Sequence, residues 1–310
     1  MSPRHLLFAL GIAFVWGVNF VVIDVGLAHF PPLLFSALRF LVAAVPAIFF
    51  LRSPGVPWRW VALAALFLAI IKFGLLFTGM AAGMPPGLSS LVLQAQAPFT
   101  LVFAVLVLKE RLTRQQVLGM VVALCGLGVI ALDLGATSPL GAFLLLLGAA
   151  AAWGVSNVVM RRAAPPDMLR FMVWVSALAV LPLFALSAVV EGPQRGWDAL
   201  RTVTWPAAGT VFFVGLVATV AGFGVWGYLI RTYSASAIAP FSLLVPVFGM
   251  AAAALFTGER LTPLRVLAAA LIIAGVLSGL IRGRTPAARA PSPSSTPASI
   301  PTARTPSRPR

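Results

Sequence analysis

The stretch SSLVLQAQAPFTLVFAVLVLKERLT, residues 89–113, decides how the rest of this chain is interpreted. It is an apolar run long enough to cross a lipid bilayer, with Pro98 near its middle and Glu-Arg-Leu-Thr at its end. Residues 236–262 read SAIAPFSLLVPVFGMAAAALFTGERLT and repeat both features, with Pro246 in the place of Pro98. Because proline removes a backbone donor and interrupts a helix, the repeat indicates two helices that are broken at matching places.

The composition is that of a membrane protein. Of the 310 residues, 60% are hydrophobic and 9% are charged, whereas a soluble domain has roughly 25% charged residues. The predicted fold class is an all-α polytopic membrane protein with ten transmembrane helices. The apolar blocks that predict these helices are 6–26, 32–51, 60–81, 87–108, 116–132, 140–160, 169–190, 207–230, 235–257 and 264–281.

The net charge of +15 would suggest a nucleic-acid partner in a soluble protein. Here the charges lie in short loops and a tail, where Lys and Arg determine membrane topology. With the N-terminus in the cytoplasm, sixteen Lys and Arg residues lie on the inner side and four on the outer side. We therefore expect both termini in the cytoplasm, the lipid bilayer as surroundings and no nucleic-acid partner.

The chain divides into two related halves. Trp16-Gly17-Val18 in the first apolar block recurs as Trp153-Gly154-Val155 in the sixth, just as the Pro98 block recurs in the ninth. The expected domains are a five-helix repeat at 1–136, a second repeat at 137–281 and a disordered basic cytoplasmic tail at 282–310. Because five is odd, the second repeat enters the membrane in the opposite direction, and inverted repeats are typical of secondary transporters.

Ionisable side chains inside a membrane are costly and are functional candidates by default. Arg39 lies within the second apolar block and Lys72 lies near the centre of the third, while Asp24 is close to the outer end of the first. No acidic residue is expected at mid-depth, so two buried cations could attract a carboxylate of the substrate. The alternative for Arg39 is a structural role, either paired with Asp24 or bonded to carbonyls of a broken helix.

Polar and aromatic side chains recur on matching helices. Trp16 and Asn19 share a helix face, as do Trp153 and Asn157, and these pairs could frame a central cavity or serve only helix packing. Gln94 lies one turn before Pro98 and is expected to face the cavity, whereas Gln96 is expected to bond to a neighbouring helix. Further along the chain, Trp226 and Tyr228 in the eighth block suit either an interfacial aromatic belt or the cavity.

Other motifs favour structural roles. The repeated Glu-Arg-Leu-Thr supplies helix caps, with Thr113 in a capping box and Thr262 ahead of a helix that starts with proline. Gly275 and Gly279 form a small-residue pair for packing or dimerisation, which leaves a monomer and a homodimer both open. The sequence has no phosphate-binding loop, no metal-ligand spacing and no credible catalytic triad, so we expect neither an enzyme, a cofactor nor a bound metal.

These features together resemble the drug/metabolite transporter superfamily, and specifically its EamA branch. The resemblance rests on Trp-Gly-Val-Asn-Phe at 16–20 and on Glu-Arg-Leu-Thr after the fourth and ninth blocks, and it extends over residues 5–281. Some stretches are similar in particular to the bacterial exporters of O-acetylserine and cysteine. They are WGVNFVVIDVGL at 16–27, GMPPGLSSLVLQAQAPFT at 83–100, GFGVWGY at 222–228 and APFSLLVPVFG at 239–249.

The resemblance implies an efflux carrier of the bacterial inner membrane whose central cavity takes a small-molecule substrate. By position, the resemblance points to Trp16, Asn19, Lys72, Gln94, Pro98, Trp153, Asn157, Trp226, Ser242 and Pro246. The first hypothesis is export of small amino-acid metabolites of the cysteine and O-acetylserine type. The alternatives are other cargo, such as aromatic amino acids, nucleosides or sugar derivatives, and a membrane receptor or scaffold that transports nothing.

Overall fold

The structure is a computed structural model that describes residues 1–50, 52–133, 139–233 and 235–280. Within these ranges every regular element is a helix. Ten membrane helices are numbered here in chain order: α1 Pro3–Leu27, α2 Pro32–Ile48, α3 Trp58–Ala81, α4 Pro86–Leu108, α5 Arg114–Asp133, α6 Leu140–Ala163, α7 Met168–Val190, α8 Trp205–Tyr233, α9 Ala239–Phe256 and α10 Pro263–Leu280.

The all-helical membrane fold predicted from the sequence is confirmed. Eight of the helices are long and apolar enough to cross a bilayer, and the shorter apolar helices α2 and α10 complete the expected ten. The sequence did not predict the short polar helix Pro193–Arg201, which lies in the loop between α7 and α8. Large apolar side chains such as Leu132, Leu181 and Leu255 are exposed, as a lipid-facing surface requires.

Four helix–helix contacts form a symmetric set when the first five helices are compared with the last five. If α1 to α5 correspond to α6 to α10, the contact between α1 and α9 has its counterpart in the contact between α6 and α4. The extensive contacts of α2 with α7 and of α5 with α10 each join a helix to its own counterpart. The division into two five-helix repeats remains a prediction. The proposed boundary between residues 136 and 137 and the tail at 282–310 lie outside the described residues.

The prolines of α4 and α9 have the predicted effect. A tight 3-10 turn occupies Leu93–Ala95 in α4 and Ala239–Leu243 in α9, and in each case α-helix resumes two residues before the proline. The ring of a proline clashes with the carbonyl four residues earlier. These carbonyls belong to Gln94 and Ser242. The helical hydrogen bonding of α4 and α9 is therefore disrupted at two residues that contact each other.

The structure also shows two irregularities that the sequence did not predict. Helix α3 widens to a π-helical stretch at Ala65–Lys72, and α8 does the same at Phe213–Ala221. The two stretches lie at matching places in the two halves, and wide turns of this kind often mark functional sites. In contrast, Pro182 lies inside α7, which runs without a break from Met168 to Val190.

The glycine of each Trp-Gly motif explains how the two halves pack together. A Cβ atom on Gly17 would lie 2.5 Å from the Cβ of Phe248 on α9, and one on Gly154 would lie 2.8 Å from the Cβ of Phe99 on α4. In both cases glycine lets a helix approach the proline-containing helix of the other half. Gly275 of α10 makes a similar close contact with Gly119 of α5, so part of the α10 glycine pair serves packing within the chain.

Candidate functional site

The Arg39 side chain is buried at the contact between α2 and α8. Its Nη2 donates to the hydroxyl of Thr219 at 2.6 Å, and that hydroxyl donates to the carbonyl of Val214 across the wide turn of α8. The Nε and Nη1 atoms have no hydrogen-bond partner among the described residues. The expected pairing with Asp24 is absent from the ion pairs of the described residues. Arg39 therefore stays anchored to a broken helix while two of its nitrogens remain available.

Lys72 lies at the end of the wide turn of α3 and is 5% exposed. Its Nζ atom is 3.3 Å from the centroid of the Phe73 ring and 4.5 Å from the Trp153 ring of α6. It makes no hydrogen bond or ion pair with any described residue. Aromatic faces attract a cation, so the ammonium of Lys72 is held by two rings and by no anion.

Trp153 and Asn157 lie one turn apart on α6 and connect this cation to a group of amides. The Nδ2 of Asn157 donates to Oε1 of Gln96 at 2.7 Å and to the hydroxyl of Thr100 at 3.0 Å. As predicted, Gln96 bonds to a neighbouring helix. The sequence did not single out Thr100, although it lies four residues after Gln96 on the same helix face.

The other predicted glutamine joins the two broken helices directly. Nε2 of Gln94 donates, at a long 3.5 Å, to the carbonyl of Ser242, which is the carbonyl that Pro246 leaves without its helical partner. Gln94 is therefore buried against α9. The hydroxyl of Ser242 donates to the carbonyl of Ala239 within its own turn.

A cavity of about 240 Å³ lies between α4, α5, α6, α9 and α10. Its polar wall is made of Gln96, Thr100, Asn157 and Ser242, and Pro98 contributes to its apolar wall. Gln94 and Pro246 are not among its lining residues, although both are buried close to the breaks. The cavity is smaller than the clefts of roughly 300 to 1,000 Å³ that hold drug-sized ligands.

Trp16 of α1, which occupies in the first half the place that Trp153 has in the second, packs against α8. Its Nε1 donates to the carbonyl of Ala218 in the wide turn at 2.8 Å, and its ring lies 5.1 Å from the ring of Trp226. Asn19 is buried, and its Oδ1 has no partner among the described residues. Trp16 and Trp226 thus form one aromatic group, while the Asn19 oxygen is available for a further hydrogen bond.

Tyr228 lies apart from these groups. It is 43% exposed, and its hydroxyl lies 3.3 Å from Nε2 of His5. The Nδ1 of the same histidine lies 2.7 Å from the hydroxyl of Tyr233. Tyr228 therefore joins the start of α1 to the end of α8, and the structure places it away from the residues that line the cavity.

Two functional candidates were not recognised from the sequence. Thr219 positions Arg39, and Phe73 lies beside both cations, with the Arg39 guanidinium 3.8 Å from its ring centroid. A threonine inside an apolar block gives no signal of its distant partner. For Phe73 the only available signal was its position next to Lys72.

Glutamates hold the helix starts at the end of the molecule where α1 ends. Glu191, after α7, accepts hydrogen bonds from the backbone nitrogens of Leu33 and Leu34, and Glu259 does the same for the start of α4. The predicted caps at Thr113 and Thr262 are present as well. The sequence analysis did not predict that Glu259 accepts hydrogen bonds from Gly87 and Leu88.

Comparison with known proteins agrees with this architecture. The EamA-like transporter family matches residues 4–132 and 140–279. A protein of Salmonella typhimurium named "Probable amino-acid metabolite efflux pump" is 40% identical over 282 residues, which are 89% of this chain and 94% of that protein. A protein of Escherichia coli with the same name is 38% identical, with the same coverage.

A solved structure described as "Crystal structure of protein" has a TM-score of 0.58 at 18% identity, and the match covers 90% of this chain and 96% of that one. At this identity it supports the fold alone. The family match and the 40% identical relative support the function class. The chain belongs to the EamA-like transporter family, and it is a multi-pass membrane transporter and not an enzyme.

Proposed function

We propose that this protein exports small zwitterionic amino-acid metabolites of the cysteine and O-acetylserine type from the bacterial cytoplasm. It lies in the inner membrane with both termini in the cytoplasm, in agreement with the excess of Lys and Arg on that side. The names of the two efflux-pump relatives support an amino-acid metabolite as cargo.

One observation carries the proposal. Arg39 and Lys72 are buried cations, 2% and 5% exposed, and neither has an acidic partner among the described residues. Positive charge in a membrane interior is costly unless an anion compensates it. A carboxylate is the anion that every amino-acid metabolite supplies, and the free nitrogens of Arg39 are donors suited to it.

We infer the size of the cargo from the cavity between α4, α5, α6, α9 and α10, which joins the cation site through α6, where Trp153 lies one turn before Asn157. Its wall of amides and hydroxyls, from Gln96, Thr100, Asn157 and Ser242, suits a short polar side chain such as a thiol or an acetyl ester. Its volume of about 240 Å³ favours a small metabolite over a drug-sized molecule.

The mechanism follows from the two breaks. Helices α4 and α9 lose regular hydrogen bonding just before Pro98 and Pro246, and these breaks contact each other through Gln94. We propose that the halves 1–136 and 137–281 rock about this contact, so that the cavity opens alternately to each side.

Transport in proteoliposomes tests the proposal. Purified protein is reconstituted and given labelled cysteine and O-acetylserine, together with an aromatic amino acid, a nucleoside and a sugar derivative. We expect flux of the first two, reduced in Arg39→Gln and retained in the control Arg59→Gln, because Arg59 is an exposed arginine. Flux of a nucleoside or sugar alone would reject amino-acid export, and no flux of any compound would reject the proposal.

A cellular experiment gives an independent measure. Overexpression in a cysteine-sensitive bacterium is expected to raise external cysteine and the tolerance of the cells to cysteine. Unchanged values at equal membrane expression would count against cysteine as cargo.

A further inference from the structure

Two cations lie beside a single aromatic ring inside the bundle. The Nζ of Lys72 is 3.3 Å, and the guanidinium carbon of Arg39 is 3.8 Å, from the centroid of Phe73. The two charged centres are therefore no more than about 7 Å apart, where like charges repel strongly in a medium of low dielectric constant.

Lys72 has no ion-pair partner among the described residues of the surrounding helices. The wide turn of α3 packs against α6 and α7, and the helix that follows it packs against α1, α2 and α6. The one carboxyl of α1, Asp24, lies near the end of that helix and makes no ion pair with Lys72 or Arg39. Between residues 140 and 160 of α6 and between 171 and 190 of α7 there is no ionisable side chain, and Arg39 is the charged group of α2. The groups that face Lys72 are thus Arg39, which is cationic, and the aromatic rings of Phe73 and Trp153.

Of the two cations, only Lys72 can readily give up its charge. A guanidinium stays protonated in proteins, whereas a buried lysine can exist as a neutral amine. The site therefore has one permanent cation and one that can exchange a proton with water.

An α-amino acid carries the charges that this arrangement would bind. Its carboxylate can accept a hydrogen bond from either free donor of Arg39, Nε or Nη1, and its ammonium matches the aromatic faces that now hold Lys72. Both Lys72 and the cargo would place an ammonium on the same faces, so the two charges compete for one position.

We propose that Lys72 is the proton-binding site of the transporter, and that its protonated ammonium and the ammonium of a zwitterionic cargo bind the faces of Phe73 and Trp153 in turn. When cargo binds, Lys72 releases its proton to water and stays neutral. When cargo leaves, Lys72 takes up a proton and its ammonium returns to the rings. Because the two species exclude each other, export of one cargo molecule is exchanged for entry of one proton.

This inference rests on the proposed function, and its test separates the two. Purified protein in weakly buffered detergent solution receives unlabelled cysteine or O-acetylserine while a pH-sensitive dye reports proton release. We expect wild-type protein to release protons on binding, and Lys72→Met to release none while still binding labelled cargo. In proteoliposomes, a pH gradient is expected to drive cargo accumulation by the wild type, and this drive is lost in Lys72→Met.

Lys72→Arg provides the conservative variant. It keeps a cation at the rings that cannot be discharged, so we expect loss of both cargo binding and cargo exchange, with the fold checked by size-exclusion chromatography and thermal unfolding. Proton release by Lys72→Met equal to wild type, or wild-type binding without proton release, would overturn the inference and leave amino-acid export standing. No binding or flux of any amino acid by the wild type would overturn both.

Discussion

The carboxylate of Glu259 lies 2.8 Å from the backbone nitrogen of Gly87, 172 positions away in the chain. Its second oxygen accepts from Leu88 at 3.3 Å and from Nη1 of Arg265 at 3.3 Å, while Arg265 also pairs with Asp133 at 2.9 Å. Helix α4 begins after Pro85, which has no side-chain cap. A glutamate from the second half therefore supplies the cap for the helix that carries the glutamines.

Removing this carboxylate should destabilise the protein. Glu259→Ala leaves the nitrogens of Gly87 and Leu88 unbonded in a partly buried place, and we expect a loss of about 2 kcal/mol. The matched control is Glu110→Ala in the other Glu-Arg-Leu-Thr copy, whose ion pair with Arg161 is solvent-exposed and should contribute less than about 1 kcal/mol. Thermal unfolding in detergent measures both. Equal losses in the two variants would contradict the capping role.

Glu259 should also make stability depend on pH. Burial raises the pKa of Glu259, and the bonds from Gly87, Arg265 and Leu88 oppose that rise only in part. The folded protein therefore binds a proton on the Glu259 carboxylate more tightly than the unfolded chain does, and this preference stabilises the fold. Its contribution to the free energy of unfolding is complete below the ordinary glutamate pKa and is lost as the pH rises through the raised pKa. We expect the melting temperature of wild type relative to Glu259→Gln to increase from neutral to mildly acidic pH. A constant difference would refute this.

Close packing at Gly17 gives a third prediction. A methyl group there would lie 2.5 Å from the Cβ of Phe248 and 2.8 Å from the backbone nitrogen of Gly249. We expect Gly17→Ala to lose about 1–3 kcal/mol through overpacking. In the control Gly11→Ala, on the same helix, the added methyl group meets nothing within 4 Å, so stability should be kept or rise by up to about 1 kcal/mol. Folded yield and unfolding temperature provide the measurement.

Thr219 should affect cargo binding through Arg39. Thr219→Val removes the 2.6 Å bond to the guanidinium, and we expect cargo affinity to fall roughly tenfold, about 1.4 kcal/mol. Thr210→Val is the control, because among the described residues the buried Thr210 hydroxyl bonds within α8, to the carbonyl of Ala207. Equilibrium binding of labelled cargo compares the two variants. If both weaken binding equally, Arg39 does not depend on Thr219 for its position.

Asn157 should matter for transport more than for stability. Asn157→Ala removes the donor to Gln96 and Thr100, and interhelical hydrogen bonds in membranes contribute only about 0.6 kcal/mol. We therefore expect a small change in unfolding temperature but a clear rise in KM for cargo. An unchanged KM would exclude Asn157 from the binding site.

Much of the architecture could be predicted because its causes are local. Twenty-residue apolar blocks require membrane-spanning helices, and the breaks near Pro98 and Pro246 follow from the clash of each proline ring with its own helix. The caps at Thr113 and Thr262 likewise depend on residues within one turn. Gln96 was expected to bond to another helix because its direction relative to Gln94 is fixed by helical geometry.

The partners were decided only by the tertiary structure. Arg39 bonds to Thr219 and not to Asp24, Lys72 lies on Trp153, and Glu259 reaches Gly87. Each of these contacts joins residues that are far apart in sequence. It therefore depends on which helices pack together and on how far they are shifted along each other. The wide turns of α3 and α8 contain no proline that would predict them, and only the structure shows that the Tyr228 hydroxyl lies beside His5 of α1. The sequence by itself determined the helices, their proline breaks and the presence of two cations inside them, since these follow from composition and neighbouring residues. Tertiary packing decided which side chains surround those cations, since only close approach of the helices brings them together.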